Sequence, residues 1–135
     1  MKFIFAVLLF TSSSLCYAQT KISAATSEIV KQISRHGQFE SEFVGFAAQP
    51  SNQFRLMRQL ALVAHAEELF LLTKSESPIV RIYSFIALVQ KNQTLARKAY
   101  LHLRQDTTKV FTQYGCIGGK ESVAYIISPY FRGRE

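Results

Sequence analysis

Few side chains in this chain could do covalent chemistry. Cys116 sits in the glycine-bordered segment GCIGGK, and three histidines, His36, His65 and His102, could serve it as a base. A thiolate made by an imidazole attacks carbonyl carbon, so such a pair would mark a thiol enzyme or another hydrolase. No local signature joins these residues. A free cysteine is more often a small buried hydrophobe than a nucleophile. The histidines are far apart, without His-x-x-x-His or Cys-x-x-Cys spacing, so no metal site is expected. Glu67 and Glu68 are adjacent on a helical segment and point to different faces, which suits no acid/base pair. GCIGGK lacks the Gly-Lys-Ser/Thr ending of a phosphate loop. The expectation is no catalysis, no cofactor and no metal. Cys116 with a histidine is the one enzymatic alternative.

The elements that position these residues begin after a leader. Lys2 precedes the apolar run from Phe3 to Phe10, and small residues lead to Cys16-Tyr17-Ala18. That pattern predicts a secretory signal peptide over residues 1–18, cut before Gln19, and an exported protein that is periplasmic or secreted. Residues 19–135 are expected to form a single domain. Cys16 leaves with the leader, so Cys116 can close no disulfide within the chain. The formal net charge is +7. Its lysines and arginines are scattered, not clustered on one face, so no nucleic acid is expected as a partner, only a mild preference for anionic ones. No membrane span is expected, since the most apolar run, SPIVRIYSFIALVQ, is too short and carries Arg81.

Helical spacing dominates the remainder. It predicts helices over 24–35, 39–48, 52–63, 66–73, 78–90, 95–104, 107–115 and 122–128. Gly37 ends the first, Pro50 follows the second, the break between the third and fourth falls near His65, and Pro129 stops the last. GCIGGK reads as a loop. The predicted fold class is all-α. Ser77-Pro78 is a strong helix start, with a capping hydroxyl and a proline where no donor is lost. The helix it opens is apolar nearly all round, as a helix buried on every side must be. Ser51, Ser77 and Thr107 each open a segment, with related residues after each, which suggests a two-helix unit used about three times.

On these residues the chain resembles HEAT repeats. VRIYSFIAL, led by its capped turn, is similar to the second helix of a HEAT unit, and LHLRQDTTKV to the passage from one unit to the next. The resemblance covers about 51–114, and the whole chain resembles small exported bacterial proteins to which no activity is assigned. It implies a short right-handed stack of antiparallel helix pairs, about six to seven helices, with a surface for a protein partner. It also implies that Arg81 pairs with the turn acid Asp106, or with Glu76 nearby. That agrees with the high cost of an unpaired buried charge, although an anion site at Arg81 is the competing reading. At the end of the chain, Tyr130, Phe131 and Arg132 are residue types enriched at contact surfaces and are the candidate binding residues. The expected function is therefore a protein-binding or scaffold module.

Overall fold

The computed structural model describes residues 21–131. The expected signal peptide and Arg132 lie outside them. The chain runs α1 (Ala24–His36), β1 (Gln38–Val44), β2 (Gln49–Pro50), α2 (Asn52–Val63), α3 (Ala66–Leu72), α4 (Pro78–Lys91), α5 (Gln93–Leu103), β3 (Lys109–Gly115), β4 (Ile117–Ser122) and α6 (Val123–Phe131).

α4 occupies the centre. Ser77 Oγ accepts from the Val80 N–H, and Pro78 takes the first turn without losing a donor. All eight residues from Ile82 to Val89 are buried, as are Ile79 and Val80. Burial on every side follows from its neighbours, because all five other helices pack on it. Each of these offers a single apolar stripe at helical spacing: Leu56, Met57 and Leu60 on α2, Ala96, Ala99 and Leu103 on α5, and Val123, Ile126 and Ile127 on α6. The chain breaks between α2 and α3 at Ala64 and His65, both extended. Lys91 Nζ, at the end of α4, donates to Ala61 O and Ala64 O and so satisfies the last carbonyls of α2.

The all-α expectation is overturned. Six helices among the described residues share the fold with a mixed four-stranded sheet in the order β2-β1-β3-β4. The sheet pairs β1 with β3 in parallel, and pairs β1 with β2 and β3 with β4 antiparallel. Three sequence expectations fail together here. The helix expected over 39–48 is β1 and its turn. Its phenylalanines fit a helical spacing, but Phe39, Ser41 and Phe43 also alternate with charged residues, and a distant partner strand decides between the two. The helix expected over 107–115 is β3, where Val110 and Thr112 point inward and Lys109 and Phe111 outward. GCIGGK is not a loop but a tight hairpin and most of β4. Tyr114 faces Ile117, leaving a two-residue connection with Gly115 at φ 57. The expected stack of helix pairs is therefore not the fold, and β3 and β4 stand where its third unit was expected.

Pro129 does not stop α6, which continues to Phe131. The proline removes the N–H that would bond Tyr125 O, and Ser128 Oγ donates to that carbonyl instead at 2.9 Å. No helix among the described residues is long and apolar enough to cross a membrane.

Tyr83 ties the helical layer to the sheet. Its hydroxyl accepts from Glu40 N at 2.8 Å and donates to Glu40 O at 2.9 Å, taking up both backbone groups of one strand residue. Its ring stacks on Phe39, with centroids 5.3 Å apart. Burial pushes the phenol far above its ordinary pKa, so it stays a donor. Tyr83→Phe should cost at least about 2 kcal/mol, because two buried backbone groups lose their partner. Denaturant unfolding checks the loss. Hydrogen exchange at the Glu40 amide should speed up more than at the Phe85 amide, and equal acceleration would argue against this tie.

Candidate functional site

Arg81, the one cation in the first turns of α4, lies where two loops meet, the one before α4 and the one before β3. Its Nε donates to Asp106 Oδ2 at 2.9 Å, Nη1 to Ser75 O at 2.7 Å and Glu76 O at 3.0 Å, and Nη2 to Thr108 Oγ1 at 3.2 Å. Glu76 contributes its backbone carbonyl only. Asp106 in turn accepts from Thr108 N through Oδ1, while Asp106 O and Thr108 O accept from Ala124 N and Val123 N at the start of α6. Burial would push the Asp106 carboxyl up. The Thr108 hydroxyl and N–H outweigh it together with the Arg81 charge, and hold the carboxyl below its ordinary value. The guanidinium is fully engaged within the chain, so this arrangement is a clamp on α4, α6 and the turn before β3.

The candidates for nucleophilic chemistry are dispersed. Cys116 is exposed at the β3–β4 connection. His36 Nε2 bonds Glu40 Oε1 at 2.6 Å, His102 Nε2 lies 3.3 Å from Thr73 Oγ1, and His65 starts α3 with its N–H donating to Glu68 Oε2. Each imidazole therefore belongs to a different part of the fold from Cys116. Among the described residues, no three His, Cys, Asp or Glu side chains gather as they would around a metal ion.

One polar cluster escaped the sequence reading. Glu40 is buried, accepts from Ser51 Oγ at 2.7 Å through Oε2, and meets His36 and Gln38 through Oε1. Serine, glutamate and histidine are the parts of a hydrolytic triad, but their order is wrong. The carboxylate stands between the other two, so no base reaches the serine, and Ser51 Oγ already accepts from Phe54 N as the cap of α2. The cluster holds α1, β1 and α2 together. No residue pattern in the sequence marks it, because its members meet only once β1 is a strand.

Two surfaces remain. The first is the turn end of the sheet. Because β1 and β3 run parallel, the β1–β2 turn and the β3–β4 connection lie at the same end, joined by Gly45 N donating to Gly115 O at 2.9 Å. Phe46 there is 101% exposed and Ile117 71%, with Phe43 and Cys116 also exposed. Ala48 holds φ 49, in the left-handed region that disfavours a residue with a Cβ. The second surface is a cleft of about 480 Å³ lined by Arg97, Tyr100, Leu101, Arg104 and Phe131. It contains one of the residues expected to bind: Phe131 stacks on Tyr100 at 4.3 Å between centroids and 12° between planes. Tyr130 is half-buried beside it, and burial raises its phenol pKa.

No protein-family model matches the chain, and no characterised protein matches it in sequence.

The clamp can be tested by a double-mutant cycle. Arg81→Met and Asp106→Asn should show a coupling of about 1–3 kcal/mol in denaturant unfolding, as a shielded charged hydrogen bond does. A coupling near zero would leave the backbone carbonyls as the partners that matter.

The pH dependence has a defined direction. Burial would raise the Glu68 carboxyl, but the Ser23 and His65 N–H groups, with the Ser23 and Thr26 hydroxyls, hold it below its ordinary value. Glu68 and Asp106 thus both have folded pKa values below their unfolded ones. The stability they give is present above about pH 4.5 and is lost as pH falls through the folded values. Glu68→Gln should be less stable at pH 7 and lose part of the slope of stability against pH below about 4.5. An unchanged slope would rule Glu68 out as a contributor.

Proposed function

We propose that the chain is an exported protein-binding module that acts without a catalytic step, and that the turn end of the sheet receives its partner. The observation that carries this reading is Phe46. A phenylalanine ring exposed to its full extent is costly in water, and the same end of the sheet carries two more exposed apolar side chains, Phe43 and Ile117. The turn that bears it is fixed to the neighbouring hairpin by a backbone hydrogen bond, so the ring is presented from a held position. The absence of catalysis is supported by the engagement of the polar residues in structure: Arg81 in the clamp, Glu40 and Ser51 in the cluster, His65 and Glu68 at the start of α3. Export rests on the leader sequence. The resemblance to HEAT units, for its part, applies to α3, α4 and the Asp106 turn, and supports a role in holding other proteins.

Cys116 gives a direct test, since it sits in the surface concerned. The purified protein, labelled there with a benzophenone maleimide, should photo-crosslink to a small set of discrete proteins from an envelope extract. Phe46→Asp and Ile117→Lys should each reduce those adducts about tenfold, equivalent to about 1.4 kcal/mol of binding, without lowering the melting temperature. Adducts of equal yield in both variants would exclude this surface as the contact. A labelling rate at neutral pH far above that of a free thiol would favour the alternative, a thiol enzyme using Cys116.

A further inference from the structure

The cleft between α5 and α6 brings cations together with a stacked pair of aromatic rings. α5 has the sequence QTLARKAYLHL, with two cations and no acid, and Arg104 follows directly as its cap. Arg97, Leu101 and Arg104 are all exposed. Arg97 and Arg104 are seven residues apart, so they lie on one face of the helix about 10 Å apart along its axis. Between them stand Tyr100 and Leu101, at the spacings that share that face. Phe131 reaches across from α6 and stacks on Tyr100, which fixes the plane of both rings. The cation pair thus brackets an apolar floor that is already ordered.

Neither guanidinium has an internal counter-charge among the described residues. This sets them apart from Arg81, paired with Asp106, and Arg58, paired with Glu42. A cleft of about 480 Å³ is within the range that holds a small molecule.

We infer that this cleft binds a small soluble amphipathic anion: a carboxylate or sulfonate on a flat apolar body. A guanidinium offers two parallel N–H donors to such a head group, and the ring stack and Leu101 cover the body. The site is separate from the turn end of the sheet, and each can stand without the other.

The test uses 2-naphthoate as probe and its neutral analogue 2-naphthamide as control. Both are titrated into the purified isotopically labelled protein and followed by amide chemical shifts. The expected result is saturable shifts at Arg97, Leu101, Arg104 and Phe131 with naphthoate, and affinity at least about tenfold weaker for the amide. Arg97→Gln with Arg104→Gln should weaken naphthoate binding by at least about tenfold as well. Both side chains are exposed, so the variant folds, and its spectrum elsewhere provides the check. Shifts of equal size for acid and amide, or unchanged affinity in the double variant, would overturn the inference. So would co-sedimentation with anionic phosphatidylglycerol vesicles in the absence of saturable naphthoate binding, which would make the arginines a membrane contact instead.

Discussion

The fold depends on how one phenol is satisfied. α4 is surrounded, so a polar atom it buries can pair only inside the protein; among the described residues Ser84 Oγ finds no partner, whereas Tyr83 does. Tyr83 does so by standing in for a neighbouring strand. It gives Glu40 a donor and an acceptor from a single oxygen, on the side of β1 that β2 is too short to cover. The helical layer and the sheet are thereby joined by hydrogen bonds as well as by packing. The Glu40 side chain is turned to His36 and Ser51, which carries the same constraint into α1 and α2.

Most of the polar chemistry in the described residues has this structural character. Arg81 and Asp106 close the first turn of α4 against α6, and Glu68 joins the segment before α1 to the start of α3 through the Ser23 N–H. Groups that would draw attention in a search for catalysis are here the partners of loops and helix ends. The surface residues left without such duties include apolar ones at the turn end of the sheet, and cationic and aromatic ones on α5. That division is what directs both functional readings toward binding.

The helices were legible because their signals are local. Ser51, Ser77 and Asn92 each cap the segment that follows with a side-chain oxygen, and the break at His65 separates two stripes. The strands were not, because each is defined by a partner far away. β3 has a polar Thr112 at a buried position, and β4 contains Gly118 and Gly119, which carry no strand preference. Gly119 has a reason visible only in space: a Cβ there would come within 3.2 Å of the Thr112 hydroxyl on the facing strand. Asp106 was read as a turn acid, and its side chain does accept from a backbone N–H two residues on, but the turn it stabilises opens into a strand. Local chemistry was thus read correctly there while the element after it was not. The residues of the α5–α6 cleft were only partly legible. Phe131 was singled out, but its companions Arg97 and Arg104 looked like ordinary solvated charge.

The parallel pairing of β1 with β3 gives the folding of this chain a fixed order in time. β1 is made early and β3 late, and α2 to α5 lie between them in the sequence. Contacts across so much chain close slowly, since the loop entropy must be overcome before the pairing contributes. During synthesis β1 has only the two-residue β2 to pair with until nearly the whole chain has emerged. Through that interval it is an open edge bearing Phe39 and Phe43, the kind of segment that recruits another chain. The molecule is then most vulnerable to aggregation as a nascent chain, and a helper that shields this segment would matter more to its yield than any gain in the stability of the finished fold.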